Sequence, residues 1–189
     1  MMLNDYPYVK DGVKSNKTSL NIPNPFHKQE RNGSFETVLF NRQLTNIVHC
    51  PRDSKGEYLM PETVITIGIE AFSRCKGLTS IIISPSVRSI GCLAFDNCIR
   101  LTSITIPFSV EKIGYRVFSN CIGLRSIYVE TESPIDLEED SDVFFRVDKA
   151  TCILYVPSGA KRKYRQAAQW KEFKQIVEME PVLPVSSNN

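Results

Sequence analysis

The stretch Ile90-Gly-Cys-Leu-Ala-Phe-Asp-Asn-Cys-Ile-Arg-Leu-Thr-Ser-Ile-Thr-Ile106 is one row of a pattern that returns every 23 residues between Pro61 and Val129. Seven columns of apolar residues, cysteine or glycine hold the same residue in three successive rows. They are Val64, Val87 and Val110; Ile67, Ile90 and Ile113; Gly68, Gly91 and Gly114; Phe72, Phe95 and Phe118; Cys75, Cys98 and Cys121; Leu78, Leu101 and Leu124; and Ile81, Ile104 and Ile127. Self-similarity at such a fixed period indicates a repeat architecture in which each row is one coil.

Each row has the residues that one coil of a stack needs. Ile104 and Ile106 alternate with polar residues, which is the period of a strand with one buried face. Pro107 cannot donate a hydrogen bond to a ladder and therefore ends the strand. Coils stacked at the strand spacing of ~4.8 Å place like residues on like and form a continuous core. The sequence therefore predicts a repeat solenoid of short parallel strands, stacked coil on coil, in which the phenylalanine column lines up along one axis.

The ends of the chain are expected to cap this solenoid, because its last coils would otherwise expose the core. We divide the chain into residues 1–33, a flexible or loosely docked arm; 34–60, an N-terminal strand cap and partial coil; 61–129, three repeats; 130–179, a C-terminal coil and cap; and 180–189, a tail. In the first cap, Phe35–Phe40 and Leu44–His49 are predicted strands, and Lys55–Tyr58 is a predicted turn.

The C-terminal cap is predicted to contain a helix. Thr151–Pro157 repeats the pattern of a strand followed by proline, and Phe144-Phe145 precedes it as Ala94-Phe95 precedes Leu101. Ser158 is a suitable N-cap for a helix that runs to about Gln169. The apolar residues that follow are expected to close the end of the core, and they are Trp170, Phe173 and Ile176.

These rows resemble BspA-type leucine-rich repeats over about Leu44 to Met179. The resemblance rests on the row Ile90–Ile104, on Gly56–Pro61 as the lead-in to a first repeat, and on Cys152–Pro157 before the capping residues. It implies a leucine-rich-repeat arc and a non-enzymatic module. Members of the family are often secreted or surface proteins of host-associated bacteria, and some act as adhesins toward host matrix proteins or other cells. This chain has three clear repeats, which is fewer than long members carry.

Composition and charge narrow the classes of partner. A formal net charge of +2 gives no strong attraction to nucleic acid. No apolar run approaches the roughly 20 residues of a membrane-spanning helix. Residues 1–33 are polar and lack the apolar core of a signal peptide, so this stretch is not expected to direct export. We therefore expect a protein partner, no nucleic acid and no membrane span.

The six cysteines raise the alternatives of a disulfide, a metal site or a catalytic thiol. Stacked thiols at ~4.8 Å are too far apart for relaxed disulfide geometry, and three in a line make a poor tetrahedral zinc site. His49 beside Cys50 would point to the opposite face of a strand, which leaves the thiol without a base. We therefore expect buried thiols, no metal, no cofactor and no catalytic residue.

Two charged stretches have both a plain and a functional interpretation. The acidic residues between Glu130 and Asp142 could bind a cation, but they lack the glycine and the terminal glutamate of a calcium loop, which favours a solvated connection. The basic run from Lys161 to Arg165 could seat an anionic partner, although it more simply forms the outer face of the cap helix.

The outward-facing positions of the predicted sheet remain as the candidate binding surface. They are Ser80, Ile82, Ser103, Thr105, Ser126, Tyr128 and Tyr155. Tyrosine is enriched at interfaces, although these residues are also ordinary strand formers. The function expected is therefore an adhesin-like protein-interaction module, at a bacterial surface by the family resemblance. The alternative is a structural or self-assembling module without a dedicated external ligand.

Overall fold

A computed structural model describes residues 38–180. The predicted arm at residues 1–33, residues 181–189 of the predicted tail and the first part of the strand predicted at Phe35–Phe40 lie outside the described residues. Eleven strands are present: β1 Leu39–Phe40, β2 Asn46–His49, β3 Lys55–Leu59, β4 Thr66–Ile67, β5 Gly77–Ile82, β6 Ser89–Ile90, β7 Ser103–Ile106, β8 Lys112–Ile113, β9 Ser126–Val129, β10 Ile153–Val156 and β11 Gln175–Glu178. A helix α1, Lys161–Tyr164, and a 3-10 helix, Trp170–Glu172, lie between the last two strands.

The strands form two sheets on opposite sides of the coils. The long sheet has six parallel strands in the order β11-β10-β9-β7-β5-β3. The short sheet has the order β1-β2-β4-β6-β8 and is parallel except for the β1–β2 pair. Ser80 pairs with Ser103, and Ser103 pairs with Ser126, so each coil repeats the register of the one before. The predicted parallel-strand solenoid with a period of about 23 residues is confirmed.

The phenylalanine column forms a stacked spine through the core. The ring centroids of Phe72 and Phe95 lie 5.3 Å apart, and those of Phe95 and Phe118 lie 5.5 Å apart. All three side chains are fully buried. Tyr58 extends the spine at one end, with its ring centroid 5.2 Å from that of Phe72. The coils therefore share one core, and each aromatic ring lies between rings of its neighbours.

The first coil begins earlier than the sequence suggested. The predicted turn at Lys55–Tyr58 is wrong, because these residues belong to β3 and pair with β5. Gly56 has a φ of 80°, and the strand register shifts between Gly56 and Glu57, so the strand is irregular at the glycine on which the predicted turn was centred. Tyr58 lies opposite Ile81 and is buried, so β3 supplies a strand of the long sheet.

The C-terminal cap differs from the prediction in two respects. The cap contains a helix, but the predicted bounds, Ser158 to Gln169, are wrong, since α1 has only four residues and its N-cap, Ala160, makes no side-chain capping bond. The spine also continues through Phe144, whose centroid is 5.7 Å from that of Phe118, and the next residue, Phe145, is exposed. The prediction had placed Phe145 in that column. The longer connection before Val143 shifts the period from 23 to 26 residues at this coil, and the Phe118 backbone N–H bonds to the carbonyl of Val143.

The core is closed as expected by the last aromatic residues. Trp170, Phe173 and Ile176 are buried. The rings of Trp170 and Phe173 pack edge-on against Phe144, at centroid distances of 5.1 and 5.0 Å. Because Ile176 lies on β11, the closing residues form one further coil rather than a long helix.

Candidate interaction surface

The outward side of the long sheet carries two rows of side chains. The outer row, one residue from each strand in register, is Leu59, Ile82, Thr105, Tyr128, Tyr155 and Val177. The second row is Glu57, Ser80, Ser103, Ser126, Ile153 and Gln175. The residues between the rows point into the core, as the two-residue period of a strand requires. The surface is thus an apolar and aromatic row beside a mainly polar one.

The seven residues predicted for this surface all lie on these two rows. Ile82 is exposed to 42%. The other six are half-buried, because neighbours on adjacent strands cover their flanks. The structure brings the seven side chains together on one side of the sheet, and whether they bind a partner remains a prediction.

Tyr128 and Tyr155 are the most distinctive feature of the outer row. Their rings stack with centroids 4.6 Å apart and planes 6° from parallel. Aromatic pairs of this kind are worth about 0.5–1.5 kcal/mol beyond the area they bury. The pair is therefore a rigid aromatic step on the sheet, with little side-chain freedom to lose when a partner binds.

Two exposed members of the outer row were missed from the sequence. Leu59 is exposed to 55% and Val177 to 40%, and they belong to β3 and β11, which were not predicted as strands of this sheet. The 23-residue offset from Ile82 to Leu59 was an available signal. For Val177 no such signal exists, because it follows Tyr155 by 22 residues, outside the period.

The cysteine column is held by hydrogen bonds from thiol to backbone. The Sγ of Cys98 donates to the carbonyl of Phe72 at 3.1 Å, and that of Cys121 donates to the carbonyl of Phe95 at the same distance. Burial raises the pKa of the Cys98 thiol to about 12 and that of Cys152 to about 11. Burial also raises the pKa of Cys121 well above its ordinary value. These thiols are protonated at neutral pH, as suits packing residues rather than nucleophiles.

Reaction with a thiol-specific disulfide reagent should separate Cys92 from the other five cysteines. Cys92 is half-buried, and the others have no exposed surface. In the native protein at pH 8 we expect one fast-reacting thiol, with the rest reacting only after denaturant is added. The Cys92→Ser variant should lose the fast phase and Cys98→Ser should keep it. A fast phase of two or more thiols would contradict the buried column.

The acidic segment from Glu130 to Asp142 is fastened to the cap. Its residues Ile135 and Leu137 are buried, and the carbonyl of Ile135 accepts the indole N–H of Trp170 at 2.9 Å. The Gln169 side chain donates to the carbonyl of Glu138 and to Ser141 Oγ, both at 2.6 Å. Among residues 38–180, no group of three or more His, Cys, Asp or Glu side chains is arranged to hold a metal ion. The segment is a packed connection with its carboxylates outward.

The short sheet carries a groove of about 310 Å³ lined by residues of β2, β4 and β6. Its polar floor includes Asn46, Thr66 and Ser89, and the last two share a hydrogen bond of 3.2 Å. Gly68 and Gly91 also line it, and a Cβ at either would lie within 2.7 Å of backbone in the preceding coil. These glycines therefore permit the close approach of coils.

Comparison with known families gives a clear result for the repeats. A family model for the BspA type leucine rich repeat region matches residues 55–146 in six copies. No curated protein matches the chain. No helix among residues 38–180 combines the length and apolar character needed to cross a bilayer.

Solved structures with similar coils are larger proteins. A leucine rich cell surface protein from Faecalibacterium prausnitzii matches 78% of this chain and 39% of its own, with a TM-score of 0.57 and 22% identity. A leucine-rich repeat protein from Eubacterium ventriosum matches over 64% of this chain and 31% of its own, with a TM-score of 0.51 and 27% identity. The pneumococcal vaccine antigen PcpA matches over 78% of this chain and 47% of its own, with a TM-score of 0.49 and 16% identity. The chain therefore spans less than half of the length of each.

Proposed function

Because residues 55–146 identify this chain as a BspA-type leucine-rich repeat protein, we propose that it is a non-enzymatic interaction module that binds a protein through the outward side of its long sheet. The observation that carries the proposal is the outer row, in which three apolar side chains are at least 40% exposed and two tyrosines stack. Exposed apolar residues that lie contiguous and in register characterise interaction surfaces more than scattered ones do. Aromatic anchors of this kind are also the residues that dominate binding energy at interfaces.

The proposal includes an adhesin-like role at a bacterial surface, toward a host matrix protein or a cell-surface protein. The family resemblance supports this location and this class of partner. Six strands of about 14 Å at a spacing of ~4.8 Å give roughly 400 Å² of projected sheet, against about 800 Å² per partner in a standard interface. A partner must therefore also contact the loops at the ends of the strands.

Replacing both tyrosines with serine should weaken binding of such a partner by about 30-fold or more, because the stacked pair would be lost from the centre of the contact. The partner is first captured on the immobilised chain from host and bacterial extracts, and its affinity is then measured by surface plasmon resonance. The matched control is Tyr115→Ser, which removes a tyrosine that is 42% exposed but lies next to β8 of the short sheet. Equal affinities for Tyr128→Ser/Tyr155→Ser and the control, with circular dichroism unchanged, would refute the proposed surface.

Self-association is the second candidate, and the edges of the long sheet favour it. Within residues 38–180, β3 and β11 each pair with a strand on one side only. An open edge is a template for pairing with another chain. A sedimentation coefficient that is that of the monomer at every concentration, from low to high, would exclude this alternative.

A further inference from the structure

Positive charge is concentrated at one corner of the solenoid. We define the strand-start corner as the turns that lead into the six strands of the long sheet, together with the first residue of β3 and of β5, at residues 51–55, 73–77, 96–100, 119–125, 145–150 and 170–174. It holds ten of the eighteen Lys and Arg side chains of residues 38–180 but four of their seventeen carboxylates. The rest of this range is therefore net negative. The chain is nearly neutral overall, but its positive and negative charges lie on different parts of the surface.

Most of these cations have no acidic partner. Nine of the ten are exposed, and Lys149 is the one that forms an ion pair, with its Nζ 2.7 Å from Glu172 Oε2. The corner carboxylates are otherwise engaged: Asp96 accepts from Asn97 and Asn120, and Asp148 accepts from Thr151. Only Asp53 shows no such bond. Because ten cations face four carboxylates, the corner keeps an excess of six positive charges.

The cations follow the coils, so that every strand is preceded by at least one of them. The set with one member per coil is Lys55, Lys76, Arg100, Arg125, Lys149 and Lys174. Backbone bonds align the turns that carry them, as when the N–H of Lys174 donates to the carbonyl of Lys149 at 3.0 Å. Five steps of ~4.8 Å give a row roughly 24 Å long. Cations gathered along this length repel one another, and a polymer that carries many anions would relieve that repulsion.

We propose that the strand-start corner binds a linear sulfated polysaccharide along the axis of the solenoid. This surface is distinct from the outer row, so the proposal does not depend on the function proposed above. Single-stranded nucleic acid fits less well, because unpaired bases need aromatic platforms. Duplex DNA can be bound by positive charge alone and is therefore compared with heparin in the experiment. Trp170 and Phe173 of the corner are buried, and the guanidinium of Arg116 lies 4.4 Å from the centroid of the exposed Phe145. Binding of an anionic polysaccharide requires only the positive charges of the corner.

The test compares two variants that each remove four positive charges. The corner variant is Lys76→Gln, Arg100→Gln, Lys171→Gln and Lys174→Gln; these four side chains are exposed and make no ion pair. The control variant is Lys161→Gln, Arg162→Gln, Lys163→Gln and Arg165→Gln, on and beside α1. Both have the same net charge. Binding of each to heparin, to fully desulfated heparin, to duplex DNA and to polyglutamate is measured by isothermal calorimetry over a series of salt concentrations.

The wild-type chain should bind heparin and not its desulfated form. If about five cationic side chains contact sulfate groups, raising the salt concentration fourfold should weaken binding by roughly 100-fold. The corner variant should lose at least about tenfold in affinity, and the control variant less than threefold. Equal losses in the two variants would show an effect of net charge and overturn the proposal. Binding to DNA or polyglutamate as tight as to heparin would overturn the choice of a sulfated polysaccharide, and so would the absence of heparin binding at low salt.

Discussion

Replacing Phe95 with alanine is expected to lower the free energy of unfolding by about 3–5 kcal/mol. The ring is fully buried between Phe72 and Phe118, at centroid distances of 5.3 and 5.5 Å. Its removal leaves a cavity between two stacked rings that the strand pairing prevents from closing. Because each coil of a solenoid contacts only its neighbours, a cavity in the middle coil weakens the coupling between the two halves.

The measurement is urea-induced unfolding followed by circular dichroism. The control is Phe108→Ala, since this phenylalanine is 67% exposed and a surface change of this type is expected to stay within about 0.5 kcal/mol. A loss for Phe95→Ala no larger than that of the control would mean that the spine does not support the fold. A broader transition, with a smaller slope against urea, would instead indicate that the two halves unfold separately.

The periodic part of the fold was predictable because one residue type per column suffices to fix it. Phe72, Phe95 and Phe118 are equally spaced in sequence, and equal spacing with one buried face per coil requires them to stack. The tyrosine stack was predictable from the strand pattern and not from equal spacing, because Tyr128 and Tyr155 are 27 residues apart but each follows a buried strand residue of the predicted sheet.

The cap was less predictable because its register is set by contacts distant in sequence. Of the adjacent Phe144 and Phe145, the first enters the spine, and its neighbour contacts the guanidinium of Arg116, 4.4 Å away. Periodicity cannot choose between two adjacent phenylalanines after an irregular connection. The start of the helix was placed too early because the positive φ of Gly159 separates the predicted N-cap, Ser158, from α1, which local propensity does not reveal.

The outer row of the long sheet was also predicted only in part. Four of its six members were identified from the repeat, whereas Leu59 and Val177 required knowledge that β3 and β11 belong to the long sheet. The basic corner escaped notice for a different reason. Its cations are far apart in sequence and occupy different columns, so only the folding of successive turns onto one edge brings them together.

Trp170→Ala is expected to have the largest effect on stability, about 4 kcal/mol or more. The side chain is fully buried against Phe144 and Tyr164, with ring centroids 5.1 and 5.5 Å away. Truncation creates a cavity at the open end of the core and removes the one donor that the carbonyl of Ile135 has among residues 38–180. The first effect alone costs about 3–5 kcal/mol, and an unpaired buried carbonyl adds about 1–3 kcal/mol where water cannot reach it.

The conservative variant Trp170→Phe separates these two effects, because it keeps most of the ring but loses the indole N–H. We expect a smaller loss of about 2 kcal/mol and faster hydrogen exchange in the acidic segment, residues 130–142, than in β7. Since Trp170 is the only tryptophan of the chain, unfolding of all variants is followed by circular dichroism and not by fluorescence. Lys171→Ala, at the exposed neighbouring position, serves as the control. If Trp170→Phe leaves exchange in the acidic segment unchanged, the indole bond to Ile135 does not hold that segment, and the other contacts, such as the bonds of Gln169 and the burial of Leu137, must hold it.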